Sequence, residues 1–214
     1  MLHKSSTNME LKVNLTNKYA LVTGASIGIG ADFSRQLAAL GCNLVLVSRS
    51  EEKLQTLADV IKATYPVNVR VIAMDLGEPG AGEVLFHKLT EAGVRIDILV
   101  NNAGLGMYGE FSGQSLEQIR KMLRLNIDTL TDLTHLFLPA MLERRYGMII
   151  QVGSLASFMP GPLYAAYSAS KAYVLSLGES LNRELKGTGV TCTVVCPGVT
   201  ATSFFDAAGQ NNRY

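Results

Sequence analysis

The sequence predicts a doubly wound α/β domain, in which helices cover both faces of one parallel β-sheet. Six short apolar runs of strand length alternate with segments whose apolar residues recur at helical spacing. The runs are apolar at most positions, as expected for strands that are buried on both faces. No linker or shift in composition divides the chain, so we expect a single domain.

The strands are predicted where runs of four to six mostly apolar residues stand between helical segments. In chain order they cover residues 19–22, 43–47, 69–74, 96–100, 148–152 and 190–195. The first run ends directly in a glycine-rich turn, and the second and fourth are followed by polar residues. Short runs bounded in this way are typical of the inner strands of a parallel sheet.

The helices are predicted where apolar residues recur three or four positions apart. They cover about residues 30–40, 51–64, 80–92, 114–145 and 164–186. In the second of these, Leu54, Leu57 and Ile61 share one face, which would pack on the sheet. Pro139 is expected to kink or divide the longest helix, because proline lacks the N–H that a helix interior needs.

Composition agrees with a globular domain. Apolar residues make up 48% of the 214 residues and charged residues 17%, which excludes a disordered chain and allows a sizeable core. The net charge of +1, without a basic run, gives no reason to expect a nucleic-acid partner. Cys42, Cys192 and Cys196 lie in or beside apolar runs without metal-ligand spacing. We therefore expect reduced thiols, no metal site and a cytoplasmic protein.

The first sixteen residues are polar and mixed. We expect residues 1–16 to be a flexible N-terminal segment and the folded domain to cover residues 17–214. The segment has no apolar core of the kind found in signal peptides. No apolar run approaches the roughly 18 residues that a membrane-spanning helix needs, so no transmembrane segment is expected.

Glycines follow the first strand at positions 24, 28 and 30. A strand, a glycine-rich turn and a helix together present backbone N–H groups and the positive end of a helix to a phosphate. Small residues are needed there because a Cβ would hold a pyrophosphate away from the backbone. Taken alone, the turn is equally compatible with a tight connection, and its spacing differs from the commonest dinucleotide fingerprint, G-x-G-x-x-G.

Polar or glycine-containing residues follow the other five strands as well. They are Ser48-Arg49, Asp75-Leu76, residues 101–104, Gly153-Ser154 and residues 196–198. Since ligands bind beyond the carboxyl ends of parallel strands, these segments predict one continuous ligand-binding edge. Several of them could equally be ordinary turns.

Arg49 stands where an acid would bind the ribose 2′-hydroxyl of a dinucleotide. A guanidinium suits a 2′-phosphate instead, which favours NADP(H) over NAD(H). The alternative is an ordinary surface arginine at the start of a helix.

Tyr167 and Lys171 are four residues apart on a predicted helix and therefore share one face. A nearby ammonium favours the phenolate, so we expect it to lower the tyrosine pKa from its usual value of about 10. Tyr167 would then be a credible acid and base near neutral pH. Taken alone, such a pair is more often a surface contact.

Each of these motifs is weak by itself, but together, in this order and with these spacings, they are highly specific. Gly24-x-x-x-Gly28-x-Gly30, residues 101–104, Asn126, Ser154, Tyr167-x-x-x-Lys171 and Pro197-Gly198 follow one another in this order. Over about residues 17 to 204 the chain resembles the short-chain dehydrogenase/reductase family, in its compact single-domain branch. The resemblance implies a Rossmann-type fold and a dinucleotide-binding catalytic domain over residues 17–214. It also implies an oxidoreductase that acts on alcohol and carbonyl groups.

The resemblance implies four catalytic residues. Tyr167 would exchange a proton with the substrate oxygen, and Lys171 would hold the nicotinamide ribose and keep Tyr167 acidic. Ser154, thirteen residues before Tyr167, would polarise the substrate oxygen, and Asn126 would position a water for proton relay. Tyr164 has serine four residues on, so it is expected to line the pocket rather than to react. Ser157 is expected to be structural.

The implied cofactor site runs along the whole sheet edge. Besides Tyr167 and Lys171, it comprises Gly24, Ser26, Ile29, Gly30, Arg49, Asp75, Leu76, Asn102, Ala103, Gly104, Pro197, Gly198, Val199 and Thr202. Asn101 is expected to brace the sheet instead. No basic residue lies between Gly24 and Gly28, so the preference for NADP(H) rests on Arg49, with help from Ser48. Use of NAD(H) stays possible.

The substrate side is expected to be apolar. Besides Ser154, its candidate residues are Leu105, Met107, Tyr108, Phe158, Met159, Leu163 and Tyr164. The absence of charge favours a hydrophobic ketone or secondary alcohol, such as a steroid, a 3-oxoacyl compound or a xenobiotic carbonyl. Some of these side chains could instead belong to the core.

Three further expectations come from the resemblance. Pairing through the helices at about 114–145 and 164–186 would give a homodimer or homotetramer. Relatives continue through a substrate-covering segment and a last strand, and the residues from Ser203 onward resemble only the beginning of that cover. The alternatives are a catalytically silent NADP(H)-binding sensor and, more remotely, a sugar-nucleotide epimerase of the extended branch.

Overall fold

The computed structural model describes residues 14–198, which form one parallel sheet with helices on both faces. The strands are β1 Tyr19–Thr23, β2 Asn43–Ser48, β3 Val69–Ala73, β4 Ile98–Asn101, β5 Gly147–Val152 and β6 Val190–Val195. Their spatial order is β3-β2-β1-β4-β5-β6, and every neighbouring pair is parallel. The prediction of a doubly wound, Rossmann-type α/β fold is therefore confirmed.

Within residues 14–198, six α-helices connect or follow the strands or lie between them. They are α1 Gly28–Ala39, α2 Glu51–Thr64, α3 Ala81–Glu91, α4 Leu116–Leu123, α5 Thr129–Glu143 and α6 Ala165–Glu184. A π-helical turn at Arg124–Asp128 joins α4 to α5, and 3-10 turns lie at Phe111–Gly113 and Leu155–Ser157. The flexible segment predicted at 1–16 falls almost entirely outside residues 14–198, although Leu15 is buried in the core.

The long helix predicted at 114–145 is interrupted, but not where the sequence suggests. Pro139 lies inside α5, which continues through it to its end. His135 and Pro139 are both exposed, so the carbonyl that loses its intrahelical partner lies on the solvent side, where water can bond it. The α-helical hydrogen bonding changes instead at the π-helical turn Arg124–Asp128, where one extra residue is accommodated as a bulge and the chain continues directly into α5.

Each face of the sheet has its own core. Along β1, Ala20 and Val22 point into the core beneath α1 and α2, whereas Leu21 points into the core beneath α3 and α5. Because side chains alternate in this way, a strand covered on both faces must be apolar at nearly every position. That is the pattern visible in the sequence.

No helix within residues 14–198 is long and apolar enough to cross a membrane. No group of three or more His, Cys, Asp or Glu side chains in this part of the chain is arranged to hold a metal ion. Cys42, Cys192 and Cys196 are free thiols, the first two of them buried.

A buried polar cluster joins the centre of the sheet to α5. The Asn101 amide donates to Thr134 Oγ1 at 2.9 Å and to Gln151 Oε1 at 3.1 Å, and Gln151 donates to the same hydroxyl at 2.9 Å. All three side chains are buried. The cluster therefore fixes the end of β4 against β5 and α5, immediately before the segment that enters the ligand-binding edge.

We predict that Asn101→Ala lowers the free energy of unfolding by about 2–4 kcal/mol, because it leaves buried partners without hydrogen bonds. Urea denaturation of the variant and the parent protein measures the difference. Asn68→Ala is the matched control, since the Asn68 side chain is exposed and should cost less than about 0.5 kcal/mol. Equal stability of the Asn101 variant and the parent would contradict the bracing role.

Candidate active site

A cleft of about 910 Å³ runs along the carboxyl ends of the strands. It crosses the point between β1 and β4 where the strand order reverses, which is where open α/β sheets bind ligands. The predicted residues that line it are Gly24, Ser26, Ile29, Arg49, Asp75, Leu76, Asn102, Ala103, Gly104, Leu105, Ser154, Met159, Tyr164, Tyr167, Lys171, Pro197 and Gly198. Residues far apart in the sequence thus share one cavity.

Several predicted residues do not line the cleft. Among the substrate candidates these are Met107, Tyr108, Phe158 and Leu163; among the others, Gly30 and Asn126. Gly30 lies behind the cleft, where a Cβ would collide with the Gly24 carbonyl oxygen and the Asn102 amide. Its role in this structure is close packing of α1 on the turn. Val199 and Thr202 lie outside the described residues.

The glycine turn is locked to β4. Gly24 has φ +64°, a left-handed conformation that favours glycine. The Asn102 amide donates to the Thr23 and Gly24 carbonyl oxygens at 2.9 and 3.1 Å. In return, Thr23 Oγ1 accepts the Asn102 and Ala103 backbone N–H groups, each at 3.0 Å. The Asn102 side chain thus holds the turn, and because the residue also lines the cleft, its contact with the ribose stays a prediction.

The N-terminus of α1 faces this turn without a cap. Its N-cap residue, Ile27, offers no side-chain acceptor, and the first turn of the helix contains no acidic residue. The first N–H groups of the helix therefore have no partner from a capping side chain. Together with the positive end of the helix dipole, they suit a pyrophosphate.

Lys171 is buried against the end of β5. Lys171 lies within α6 and its side chain is buried. Its Nζ donates to the Val152 carbonyl oxygen at 2.8 Å. Burial disfavours the ammonium and lowers the pKa of Lys171 to about 8. The lysine is thus partly deprotonated only slightly above neutral pH.

Tyr167 lies one helical turn before Lys171 and is also buried. Burial raises the pKa of Tyr167, while a hydrogen bond with the Ser154 side chain lowers it. The expectation that Lys171 lowers this pKa is wrong for the chain by itself, because desolvation of the phenol outweighs the favourable interactions. Tyr167 is accordingly a neutral phenol at neutral pH, which is the form that can donate a proton.

Ser154 is the N-cap of the 3-10 turn Leu155–Ser157. Its hydroxyl accepts the Ala156 N–H at 3.1 Å, and Ser157 Oγ accepts the Ser154 N–H at 3.1 Å. This reciprocal capping fixes the Ser154 backbone at the mouth of the cleft beside Tyr167. Ser157 therefore acts on the site through Ser154.

Asn126 lies in the π-helical turn, and both the oxygen and the nitrogen of its side-chain amide form hydrogen bonds. Its Oδ1 accepts the Leu105 N–H at 2.9 Å, and its Nδ2 donates to the Leu105 carbonyl oxygen and to Ser170 Oγ, each at 3.0 Å. A Cβ on Gly104 would lie 3.3 Å from Asn126 Oδ1 and 3.4 Å from Lys171 Nζ. Asn126 thus holds the segment after β4 against α6, close to the lysine.

Asp75 and Arg49 follow the neighbouring strands β3 and β2, and both line the cleft. Although burial opposes it, hydrogen bonds from Lys121 and the Gly77 N–H and the charge of Arg49 lower the pKa of Asp75. Lys121 Nζ is 2.8 Å from Asp75 Oδ2. The loop after β3 is therefore anchored to α4 by an ion pair with a fixed carboxylate.

The substrate end of the cleft is apolar. Leu105, Leu155, Met159 and Tyr164 line it, and the Tyr164 ring lies 6.2 Å from that of Tyr167, measured between centroids. Leu155 and Met159 are 54% and 64% exposed, so apolar surface is open to solvent at the mouth. Such surface favours a hydrophobic ligand.

Sequence reasoning missed part of the lining. The unassigned residues include Lys53, Leu125, Leu155 and the segment 160–162. A usable signal exists for Lys53 and Leu155, because each stands within a few residues of a strand's carboxyl end. Leu125 lies far from any strand in sequence, and only the fold brings it to the cleft.

A family model for short chain dehydrogenases matches residues 18–213. The chain belongs to the short-chain dehydrogenase family. The predicted membership is therefore confirmed, and the geometry at the sheet edge agrees with it.

Known members of this family show both the similarity and its limits. The chain is 38% identical over 190 residues to a very-long-chain 3-oxoacyl-CoA reductase from Anas platyrhynchos, with 86% of this chain and 60% of that protein covered. It therefore spans 60% of that relative's length. Among solved structures, a short-chain dehydrogenase from Sphingobium yanoikuyae in complex with NADPH has 36% identity and a TM-score of 0.86, covering 91% of this chain and 75% of that one.

A second solved structure bears on the substrate side. The bulky-bulky ketone specific alcohol dehydrogenase from Comamonas testosteroni is 34% identical, with a TM-score of 0.81, and the match covers 86% of this chain and 73% of that one.

The lowered pKa of the buried Lys171 predicts that the free energy of unfolding depends on pH, and this can be tested without measuring activity. The unfolded lysine keeps its proton up to pH 10.5 and the folded one only up to about 8. Between these values the unfolded state binds more protons, so this group makes stability rise with pH. We predict that the parent gains about 3 kcal/mol relative to Lys171→Met between pH 7.5 and 10.5.

Urea denaturation of the two proteins at a series of pH values measures this gain, and other titrating groups cancel in the difference. The control is Lys62→Met, an exposed lysine of α2. A difference between Lys171→Met and the parent that is constant across the range would contradict the buried, pKa-lowered lysine.

Proposed function

We propose that this chain is an NADP(H)-dependent oxidoreductase that interconverts a hydrophobic ketone and a secondary alcohol. The observation that carries the proposal is the convergence of Ser154, Tyr167 and Lys171 at one end of a cleft whose other end holds Arg49. The groups that would react and the cation that would bind a charged nucleotide thus line the same cavity. The family membership and the NADPH bound to the Sphingobium relative support it.

The residues of the cleft fit a dinucleotide. The uncapped end of α1 suits the pyrophosphate, and Arg49 suits a 2′-phosphate. Asp75 and Leu76 would bind the adenine. Asn102, Ala103 and Gly104 would contact the adjacent ribose, and Pro197 and Gly198 would pack on the nicotinamide. Lys171 uses one N–H on Val152, which leaves two donors for ribose hydroxyls. A bound nicotinamide would supply hydride to a carbonyl carbon, or take it up in the reverse direction.

The chain's own residues would handle the substrate oxygen and its proton. Ser154 Oγ would donate a hydrogen bond to that oxygen, and this bond strengthens as negative charge develops. Tyr167, a neutral phenol in the folded chain, would give its Oη proton to the same oxygen during reduction. Lys171, with a pKa of about 8, could return a proton toward the tyrosine near neutral pH.

We favour a 3-oxoacyl compound or another bulky, hydrophobic ketone as the substrate. The lining beside the reacting groups is apolar, with Leu105, Leu155 and Met159, and none of these side chains would pair with a substrate carboxylate. The 3-oxoacyl-CoA reductase and the ketone-specific dehydrogenase among the relatives support this class. Use of NAD(H), the homo-oligomer, the cytoplasmic location and the domain limits at 1–16 and 17–214 stay predictions.

Replacement of Tyr167 by Phe removes the proton donor but keeps the ring. We predict that it lowers kcat by at least about 10²-fold for NADPH-dependent reduction of a hydrophobic ketone. The dissociation constant for NADPH should change by less than about threefold, because the phenol is not needed for the phosphate contacts. Tyr108→Phe is the matched control, since Tyr108 does not line the cleft.

Turnover of the Tyr167 variant at the parent's rate would contradict the assignment. NADPH binding without turnover by the parent protein, against a panel of ketones and 3-oxoacyl thioesters, would instead favour the catalytically silent sensor.

A further inference from the structure

Two cations line the cleft at the end of β2. Arg49 directly follows the strand, and Lys53 lies in the first turn of α2. We propose that Lys53 is a second residue that recognises the 2′-phosphate of NADP(H), beside Arg49, and so helps to set the preference over NAD(H). The inference rests on the proposed NADP(H)-dependent function and deepens it.

The helix geometry directs the Lys53 side chain toward the cleft. Ser50 is the N-cap of α2, and its hydroxyl accepts the Lys53 N–H at 3.4 Å. Side chains of an α-helix lean toward the N-terminus of the helix. The Lys53 stem therefore leans back over Ser50 toward Ser48 and Arg49, which are also in the lining.

Neither cation is committed to a partner within residues 14–198. The ion pairs in this part of the chain involve Arg35, Arg95, Arg144 and Lys121, and not Arg49 or Lys53. Glu51 and Glu52 are close in sequence but exposed, and they do not line the cleft. The ammonium of Lys53 is therefore available to an anion in the cleft.

A buried hydroxyl at the same place lacks a partner. Ser48 Oγ is shielded from solvent and has no hydrogen-bond partner among the described residues. An unpaired buried hydroxyl is costly, and a ligand oxygen would relieve the cost. Ser48, Arg49 and Lys53 together offer a hydroxyl, a guanidinium and an ammonium, which are all suited to a phosphate monoester.

The acidic residue that lines the cleft with this group, Asp75, does not oppose the anion strongly. Asp75 is paired with Lys121 at 2.8 Å, so its charge is already balanced. Residues 25–27 of the glycine turn are Ala, Ser and Ile, so any positive side chain beside the 2′-phosphate must come from Arg49 and Lys53 among the lining residues at this end of the cleft.

The test is titration of the purified protein with NADPH and with NADH, followed by nucleotide fluorescence without substrate. Lys53→Met should raise the dissociation constant for NADPH about tenfold, as expected for loss of one charge-assisted hydrogen bond. The constant for NADH should change by less than about twofold. Lys53→Arg should retain most of the affinity for NADPH.

Lys62→Met is the matched control, because Lys62 lies on the same helix, is exposed and is outside the cleft. It should leave both constants unchanged. The compound 2′,5′-ADP carries the 2′-phosphate without a nicotinamide. Its inhibition constant in competition with NADPH should rise about tenfold in Lys53→Met and stay unchanged in Lys62→Met.

Equal effects of Lys53→Met on NADPH and NADH, or no effect on either, would overturn the role of Lys53 while the proposed function stands. Failure of the parent protein to bind NADPH would overturn the proposed function, and the role of Lys53 with it.

Discussion

The reversal of strand order between β1 and β4 is the constraint on which the rest of the structure depends. The connections after these two neighbouring strands leave the sheet in different directions, so a crevice opens between them. The Asn102 amide and Thr23 hydroxyl tie the two strand ends together across it. The crevice is therefore rigid where it would receive a pyrophosphate, and the other functional segments reach it from the remaining strands.

The end of the cleft that contains Lys171 is built at a cost in stability. Lys171 is a buried cation with a single protein acceptor, the Val152 carbonyl oxygen, among the described residues. Burial of such a group costs free energy that the fold must supply elsewhere. The adjacent buried clusters, Asn101 with Gln151 and Asn126 with Ser170, provide the stiff surroundings that hold it in place. Titratable groups whose pKa is strongly perturbed by burial cluster at functional sites, and Lys171 fits that description.

The fold was largely predictable because a strand buried on both faces must be apolar at nearly every position. The apolar runs located all six strands, although β4 begins at Ile98 and not at residue 96. The division of the helix at 114–145 was not predictable in the same way. The apolar spacing continues through residues 124–128, and a π-helical turn changes hydrogen bonds without changing that pattern.

The site was predictable as a set of residues near strand ends, but less so in its contacts. Spacing placed Tyr167 and Lys171 on one helix face, yet it could not show that burial dominates the tyrosine pKa. Sequence order also could not show that the Asn102 amide reaches back to Gly24, so the bracing role of this side chain was not predicted. Lys53 could have been predicted, because it lies five residues after the end of β2, but only the structure shows that the first turn of α2 lines the cleft.

The central claim is that this sheet edge binds NADPH and delivers hydride to a hydrophobic carbonyl compound. The most direct measurement is a single-turnover reaction of a 3-oxoacyl thioester with NADPH that carries deuterium at both C4 positions, with the product analysed by mass spectrometry and NMR. The account predicts one deuterium at the former carbonyl carbon, bonded to carbon and not exchanged with water. A product that carries no deuterium at that carbon, or a bound cofactor that is never oxidised, would contradict it.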